Sequence, residues 1–209
     1  EGTGIGVDSK KLSELSKFFR AEVDRETAGA QKEAGKEFNV GSPKQLQAVL
    51  FDDLDLPKTK KIKTGFTTDA ESLDWLFAKT KHPILKHLLR IRETSKLLTT
   101  VDGLIEATAS DGRIHTIFQQ TITATGRLSS TNPNLQNIPV RSEEGRTIRD
   151  CFIAGKGYSA LLTADYSQIE MRIMAHLSND QGLIAAFESG EDLHSTVGAQ
   201  VFNVDPSQV

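Results

Sequence analysis

Residues 161–170 read Leu-Leu-Thr-Ala-Asp-Tyr-Ser-Gln-Ile-Glu and carry the strongest local signal in the sequence. The compact apolar run at residues 158–165 has the length of a buried strand, and Asp165 stands at its end. Beyond it, Ile169, Ile173 and Leu177 recur at helical spacing. The stretch therefore predicts a strand, a turn and a helix, with a carboxylate that a rigid strand holds at the solvent.

A carboxylate in that position has two interpretations. Mg²⁺ prefers oxygen ligands and is commonly held by one or two carboxylates together with substrate phosphates, so Asp165 suits it, and the backbone carbonyl of Tyr166 offers a further oxygen. Alternatively, Asp165 caps the helix that follows the turn. Taken by itself, the decapeptide favours the cap.

A second motif occupies residues 125–139, which read Thr-Gly-Arg-Leu-Ser-Ser-Thr-Asn-Pro-Asn-Leu-Gln-Asn-Ile-Pro. Side-chain amides and hydroxyls surround Arg127, and such groups suit contacts to sugar, phosphate and minor-groove acceptors. The alternative is a surface loop that its own Asn and Ser side chains stabilise. Neither motif alone decides between these interpretations.

The part of the chain before residue 108 is predicted to be helical. A long amphipathic helix is expected at about residues 10–33, with Asp8 or Ser9 as its cap. Ser42 and Gln45 form a capping-box pattern for a short helix that starts at Pro43 and ends near residue 53.

Two further helices follow in this first part. Thr68 with Glu71 predicts the start of one of them, and His82-Pro83 ends it. A last helix begins at Pro83, and its apolar spacing extends to about residue 105.

The pattern changes at the turn dipeptide Asp111-Gly112. Residues 113–123 are rich in β-branched and aromatic side chains and predict short strands, whereas residues 125–142 predict an extended loop. The fold class is therefore α+β, with a helical first half and a mixed second half divided near residue 108.

Composition fits a soluble protein, because 37% of the 209 residues are hydrophobic and 25% are charged, with no apolar run near the length that crosses a bilayer. The net charge of −3 does not itself indicate a nucleic-acid partner. Four lysines lie in one short loop: Lys58, Lys60, Lys61 and Lys63. Considered by itself, this run of lysines favours the interpretation of a solvated loop.

The single cysteine, Cys151, excludes an internal disulfide and a site of several thiolates, which fits a reducing cytoplasm. We expect it to be a small core residue beside Phe152. The first residue is not Met and residues 203–209 are turn-like, so the sequence is expected to be a piece of a longer protein.

Residues 125–139, followed after a short interval by residues 165–170, together resemble the paired signatures of family A DNA polymerases. Further segments resemble the same family. Residues 41–46, 50–52 and 58–67 look like its thumb tip, residues 92–97 like the end of its long thumb helix, and residues 191–194 like the approach to its fingers.

The resemblance implies a right-hand polymerase fold that the chain covers only in part. Residues 1–8 would start the palm, residues 9–107 would form a helical thumb, and residues 108–209 would be the first part of an antiparallel-sheet palm running toward the fingers. The implied function is template-directed DNA synthesis in replication and repair, by a monomeric enzyme of the bacterial cytoplasm associated with the nucleoid. Primer-template DNA and deoxynucleoside triphosphates would be its partners, and two Mg²⁺ ions its cofactors.

The resemblance also assigns roles to residues. Asp165 would be the first catalytic aspartate and a metal ligand, Tyr166 would ligate metal through its carbonyl, and Glu170 would exclude a ribose 2′-hydroxyl. The implied nucleotide-binding residues are Tyr166, Ser167, Gln168 and His194. The implied DNA-binding residues are Lys58, Lys60, Lys61, Lys63, Lys96, Arg127, Asn134, Gln136 and Asn137.

Individual assignments have competitors. Glu170 could be a first-turn acid that favours the helix dipole, Arg172 could be solvated, and His194 could pair with Glu191. The sequence also departs from the family pattern at Gln119, where an Asn-Gln pair is usual, and at Leu98, where a second lysine is frequent.

Other functional classes remain open from the sequence. A single-subunit RNA polymerase also places an aspartate on a palm strand, but Glu170 argues against it. A non-catalytic primer-template clamp needs no metal at Asp165, and a metal-dependent nuclease would gather more carboxylates. The family's second palm carboxylate and its nucleotide-binding fingers helix lie in later motifs, so the 209-residue chain alone is predicted to be inactive.

Overall fold

The computed structural model describes residues 1–140 and 142–190, together with residues 198, 202, 204 and 205. The chain forms two compact units, Glu1–Leu161 and Leu162–Val209, and each is described by itself. The expectations for Glu191, Asp192 and His194 lie outside the described residues.

Two long helices of the first unit pack along each other in opposite directions. Helix α1 spans Ser9–Ala34 and helix α4 spans Pro83–Glu106. Near the two ends of this pair, Ser16 donates to Asp102 and Glu26 contacts His87. Asp8 caps α1 by accepting from the Lys11 N–H at 3.0 Å, and the helix ends at Gly35 in the left-handed region (φ 67°) that glycine tolerates. Both predicted helices are therefore confirmed.

Shorter helices cover one end of this pair. Helix α2 (Pro43–Gln47) is capped by Ser42 as predicted and continues as a π-helical turn, Ala48–Asp53. The reciprocal half of the capping box is not formed, because the Gln45 side chain instead accepts from the Asn39 N–H at 2.7 Å.

Helix α3 (Ala70–Thr80) is capped by Asp69 and not by Thr68, which corrects the expectation. The Asp69 carboxylate accepts the Ser72 N–H at 2.8 Å, whereas Thr68 is buried. The hydrogen bond from the Thr67 hydroxyl, followed by the one from Ser72, holds the pKa of Asp69 below its usual value. At the start of α4, the His82 ring accepts the Ile84 N–H as a cap.

The apolar interior of the first unit consists of two clusters. One joins α2, the π-helical turn, α3 and the first half of α4, and includes Leu50, Leu76 and Leu85. The other joins the first half of α1 and the second half of α4 to the strands, and includes Phe19 and Cys151. The core position of Cys151 is confirmed, and burial raises the pKa of its thiol.

Short antiparallel strands complete the first unit. Strand β1 (Ile5–Val7) lies between β4 (Arg113–Ile114) and β7 (Phe152–Ile153). A Cβ atom at Gly6 would lie 2.9 Å from Gly155 Cα, so this central position requires glycine.

The other strands form hairpin-like pairs. Strand β2 (Lys61–Ile62) pairs with β3 (Gly65–Phe66), and β5 (Ile117–Gln119) pairs with β6 (Ser129–Thr131). Residues 125–142 are therefore not wholly loop, since they contain β6 and a 3₁₀ turn at Leu135–Asn137, and helix α5 (Glu143–Arg149) begins directly after them. The mixture of helices with small antiparallel sheets confirms the α+β fold class.

The buried strand expected at residues 158–165 is wrong. No described strand pairs with this segment, and the side chain of Leu162 is 94% exposed. An apolar strand is buried only when other strands and helices cover it, and none of the described elements does so. In the second unit, the predicted helix is present as α6 (Ile169–Ser178), followed by α7 (Gln181–Ser189).

Within the described residues, no helix is both long and apolar enough to cross a bilayer.

Candidate functional site

Asp165 lies in the irregular segment just before the turn at residues 167–168 that leads into α6, with its side chain exposed to solvent. Helix α6 begins after Gln168, which adopts the left-handed conformation (φ 52°) and provides no side-chain cap. Among the described residues, the Asp165 carboxylate accepts no hydrogen bond and forms no ion pair. The capping interpretation therefore does not account for Asp165, and its oxygens remain available for a ligand.

The turn that follows Asp165 is held by Arg172. The Arg172 Nε donates to the Ser167 carbonyl at 2.9 Å, and its guanidinium lies 4.4 Å from the ring centroid of Phe187 on α7. Arg172 is therefore engaged with the protein and is not merely solvated. The Tyr166 side chain is 79% exposed.

Glu170 occupies the first turn of α6 and its side chain points to solvent. An acid in this position favours the helix dipole, so the structural interpretation of Glu170 remains beside the functional one.

The residues around Asp165 can provide part of a metal site. The described residues contain no group of three or more His, Cys, Asp or Glu side chains that would enclose a metal ion. Mg²⁺ does not require such a cage, because it keeps several waters and binds through one or two carboxylates plus substrate phosphates. The Asp165 carboxylate and the Tyr166 carbonyl fit that role as a partial set of oxygen ligands.

A buried hydroxyl network fixes the polar loop at residues 125–139. The Thr116 hydroxyl lies 2.6 Å from that of Ser130, and the carbonyls of Thr131 and Pro133 lie at 3.0 and 2.8 Å as alternative acceptors for its one proton. The Leu135 N–H donates to Ser130 Oγ at 3.1 Å. Part of the polar sequence therefore serves the loop itself, as the structural alternative predicted.

The predicted DNA-binding residues of this loop lie together on its exposed side. Asn134 Oδ1 accepts the Gln136 N–H at 2.9 Å, and Gln136 Nε2 donates to the Leu128 carbonyl at 3.1 Å. Arg127 and Asn137 are also exposed. The loop thus presents amides and a guanidinium on a rigid base, although Asn134 and Gln136 each use one polar atom to shape it.

The four lysines at residues 58–63 surround the β2–β3 hairpin. The Phe66 N–H in β3 donates to Gln47 Oε1 at 2.9 Å, which anchors the hairpin to α2. All four lysines are exposed, and none forms an ion pair with another described residue. The hairpin therefore presents an unneutralised basic surface.

Lys96 lines a cleft of about 630 Å³ along α4, and the same cleft contains Lys86 and Arg92. Arg92 is partly buried, burial lowers its pKa, and it has no ion pair among the described residues. The role of Arg92 was not predicted, although its position four residues before Lys96 on one helix face was visible in the sequence.

Residues 9–209 match the family model for DNA polymerase family A. The matched region contains both the polar loop and the Asp165 turn. The chain belongs to DNA polymerase family A.

Its relatives include proteins named DNA polymerase I. The protein of that name from Mycobacterium tuberculosis is 59% identical over 209 residues, which are 100% of this chain and 23% of the relative. The one from Caldicellulosiruptor bescii is 48% identical over 211 residues, covering 100% of this chain and 24% of the relative. The chain thus spans about a quarter of the length of these relatives.

A solved structure, the POL domain of Pol1 from M. smegmatis in complex with DNA primer-template and dNTP, is 60% identical with a TM-score of 0.92. The matched region covers 99% of this chain and 36% of the chain in the solved structure. These findings confirm the resemblance inferred from the sequence.

Proposed function

We propose that this chain is part of a DNA-directed DNA polymerase that carries out template-directed synthesis in replication and repair. The observation that carries the proposal is the match of residues 9–209 to the family A model, which includes an Asp165 carboxylate with no described protein partner. The solved relative was captured with DNA primer-template and dNTP, which supports the same partners for this chain.

We propose that residues 1–8 and 108–209 belong to the palm and residues 9–107 to the thumb. The pairing of β1 with both β4 and β7 supports this division, because it joins the first residues to strands that follow residue 108. The antiparallel helices α1 and α4 lie between these two palm segments in the sequence and would form the stem of the thumb.

In the proposed mechanism, the Asp165 carboxylate and the Tyr166 carbonyl would hold Mg²⁺. Metal bound there would supply charge stabilisation for the attacking primer 3′-hydroxyl and the leaving pyrophosphate. Glu170 lies five residues beyond Asp165 and would lie against the sugar of the incoming nucleotide. A ribose 2′-hydroxyl would collide with it there or be buried unpaired, so Glu170 selects deoxyribose. The proposed remaining nucleotide contacts are Ser167, Gln168 and His194.

The basic and amide residues of the first unit are proposed to hold duplex DNA without sequence preference. Lysines at the β2–β3 hairpin and Lys96 with Arg92 would bind backbone phosphates, a contribution that weakens with salt. The exposed side of the polar loop would contact the minor groove and sugars near the primer end. The proposed minor-groove residues are Arg127, Asn134, Gln136 and Asn137.

We further propose that the 209 residues alone do not extend a primer, because a two-metal site needs a second palm carboxylate, which in the family lies in a later motif. The polymerase is proposed to act as a monomer in the bacterial cytoplasm, at the nucleoid.

Primer extension by a chimera tests the role of Asp165. These 209 residues would replace the matching segment of the M. tuberculosis DNA polymerase I, to which they are 59% identical. Asp165→Ala should lower extension by at least about a thousandfold while DNA binding is retained, since metal stabilisation contributes several kcal/mol. Asp24→Ala, an exposed aspartate on α1, is the matched control. Undiminished extension by Asp165→Ala would leave only a non-catalytic primer-template clamp.

Nucleotide choice tests Glu170 in the same chimera. Glu170→Ala should accept ribonucleotides that the unsubstituted chimera rejects, because the space for a 2′-hydroxyl is opened. Glu188→Ala, an exposed glutamate on α7, should keep the original preference for deoxynucleotides. An unchanged preference in Glu170→Ala would assign Glu170 to the helix dipole alone.

A further inference from the structure

A cleft of about 470 Å³ lies between the β2–β3 hairpin region and α3. Trp75 on α3 lines one side of it, Lys58 and Lys60 line another, and the acidic residues Asp69 and Glu71 also contribute. The role of Trp75 is not explained by the proposed polymerase function, which needs only phosphate contacts from this region.

Trp75 is the single tryptophan of the chain, and its side chain is 46% exposed. Its helix neighbours Leu73 and Leu76 are fully buried, so the indole lies on the outward side of α3. The Lys79 ammonium lies 4.8 Å from the ring centroid and can cover only one of the two faces. An exposed indole beside cations is a surface on which another flat ring can stack.

The charges of the cleft favour an anion. Lys58, Lys60 and Lys79 have no ion pair among the described residues. The Asp69 carboxylate is already engaged, since it accepts the Ser72 N–H at 2.8 Å and the Thr67 hydroxyl at 2.5 Å. Asp69 and Glu71 both keep their negative charge, so with Lys79, which lies over the Trp75 ring, three lysines face two carboxylates and the excess of positive charge is small.

We propose that this cleft binds single-stranded nucleic acid, with one unpaired base stacked on Trp75 and the adjacent phosphates on Lys58 and Lys60. Bases within a duplex stack on each other and offer no free face, so the site selects an unpaired strand. An acidic peptide would satisfy the lysines but would leave the indole without a stacking partner. The site goes beyond the proposed polymerase function, since it recognises a strand outside the duplex.

Tryptophan fluorescence of the 209-residue chain reports this site directly, because Trp75 is the single fluorophore of its kind. An oligothymidylate of about twelve nucleotides, within the range of known single-strand sites, should quench the emission. An abasic strand of the same length and charge should bind more weakly and quench less. The measurement needs neither metal nor nucleotide, so its failure is distinguishable from failure of the polymerase proposal.

Variants of the chain distinguish the contribution of base stacking to binding from that of the lysine charges. Binding of a labelled oligothymidylate is measured by fluorescence anisotropy. Trp75→Ala should weaken binding roughly 5- to 100-fold, the effect of removing one base–aromatic stack. Phe18→Ala, an aromatic on α1 that is 57% exposed, is the matched control and should bind as the unsubstituted chain does. Replacing both Lys58 and Lys60 with Ala should reduce the slope of log affinity against log salt by about 1.4, since each single-strand phosphate contact contributes about 0.7.

The variant Glu71→Gln tests whether the bound ligand is an anion. It should tighten oligothymidylate binding, because it removes one of the two opposing carboxylates from the cleft. Weaker binding by Glu71→Gln, full affinity in Trp75→Ala, or equal affinity for the abasic strand and the oligothymidylate would each overturn the proposal. A polyglutamate peptide provides a further test. If the peptide displaced the strand and bound Trp75→Ala as tightly as the unsubstituted chain, the cleft would be assigned to an acidic peptide and the proposal would be overturned.

Discussion

Two buried threonines of the first unit differ in how their hydroxyls are satisfied. Thr94 in α4 is fully buried, and its Oγ1 has no hydrogen-bond partner among the residues that the structure describes. Thr116 is also buried, but its Oγ1 contacts Ser130, Thr131 and Pro133. An unsatisfied buried hydroxyl costs free energy, whereas a satisfied one becomes expensive to remove.

Thr94→Val should therefore leave the free energy of unfolding unchanged or raise it by up to about 1 kcal/mol, because Val keeps the shape and lacks the hydroxyl. The measurement is urea denaturation of the 209-residue chain followed by circular dichroism. Thr116→Val is the matched control, and its free energy of unfolding should be lower by about 1–3 kcal/mol. If Thr94→Val proved as destabilising as Thr116→Val, the Thr94 hydroxyl would have a partner.

At the scale of elements, Arg90 joins three helices. Its Nε donates to Glu22 of α1 at 2.5 Å, and its two terminal nitrogens donate to Glu93 of α4 and Glu144 of α5 at 3.0 and 2.9 Å. The Glu22 side chain is only 6% exposed, and its other ion pair, with Arg25 at 3.6 Å, is the longer of the two. The three carboxylates, Glu22 foremost, hold the pKa of Arg90 above its usual value.

Arg90→Leu should lower the free energy of unfolding by about 3 kcal/mol, since it leaves the buried Glu22 carboxylate with only the 3.6 Å contact to the exposed Arg25. The double substitution Glu22→Leu with Arg90→Leu should recover much of that loss, because no buried charge then remains. Thermal or urea unfolding of both variants measures the difference.

The exposed pair Arg20 with Asp102 provides the control for this prediction, with side chains 60% and 40% exposed. Arg20→Leu should cost under about 1 kcal/mol. If Arg20→Leu and Arg90→Leu lowered the free energy of unfolding equally, burial would add nothing to the stabilisation by the Arg90 ion pairs.

At the scale of the whole molecule, the two units differ in how well they bury apolar side chains. The first unit has two clusters of buried residues, whereas the second exposes Leu162, Ile173, Met174 and Leu177 by 94%, 50%, 56% and 77%. Apolar surface of this extent tends to associate with other molecules.

The isolated 209-residue chain is therefore expected to self-associate at micromolar concentration, a range in which exposed apolar surface drives association. Replacing Leu162 and Leu177 together with Ser should shift the chain toward monomer, as measured by sedimentation velocity. Ile122→Ser, which alters a residue of the first unit that is 69% exposed, serves as the control and should change the association less. A monomeric unsubstituted chain throughout that range would contradict the expectation.

The helices were predictable from the sequence because their causes are local. Asp8 and Ser42 cap the helices that follow them, Pro83 begins α4, and apolar spacing places each buried face within a few residues of its neighbours. The candidate metal ligand Asp165 was also visible, since its motif is contiguous.

The sheet and the surfaces required the tertiary structure. Strand β1 has only three residues, and its pairing with β4 and β7 joins segments that are more than a hundred residues apart in the chain. The apolar run at residues 158–165 had the composition of a buried strand, yet composition cannot supply the partners that burial requires.

The sequence by itself thus determined helices α1 to α4 and α6, the family and the motif at residues 165–170, since capping, periodicity and contiguous motifs act over a few residues, whereas α5 and α7 were not predicted. Only the tertiary structure decided which strands pair, which threonine hydroxyl is left unsatisfied and that Trp75 lines a basic cleft. These features depend on contacts between residues distant in the chain, which local patterns do not specify.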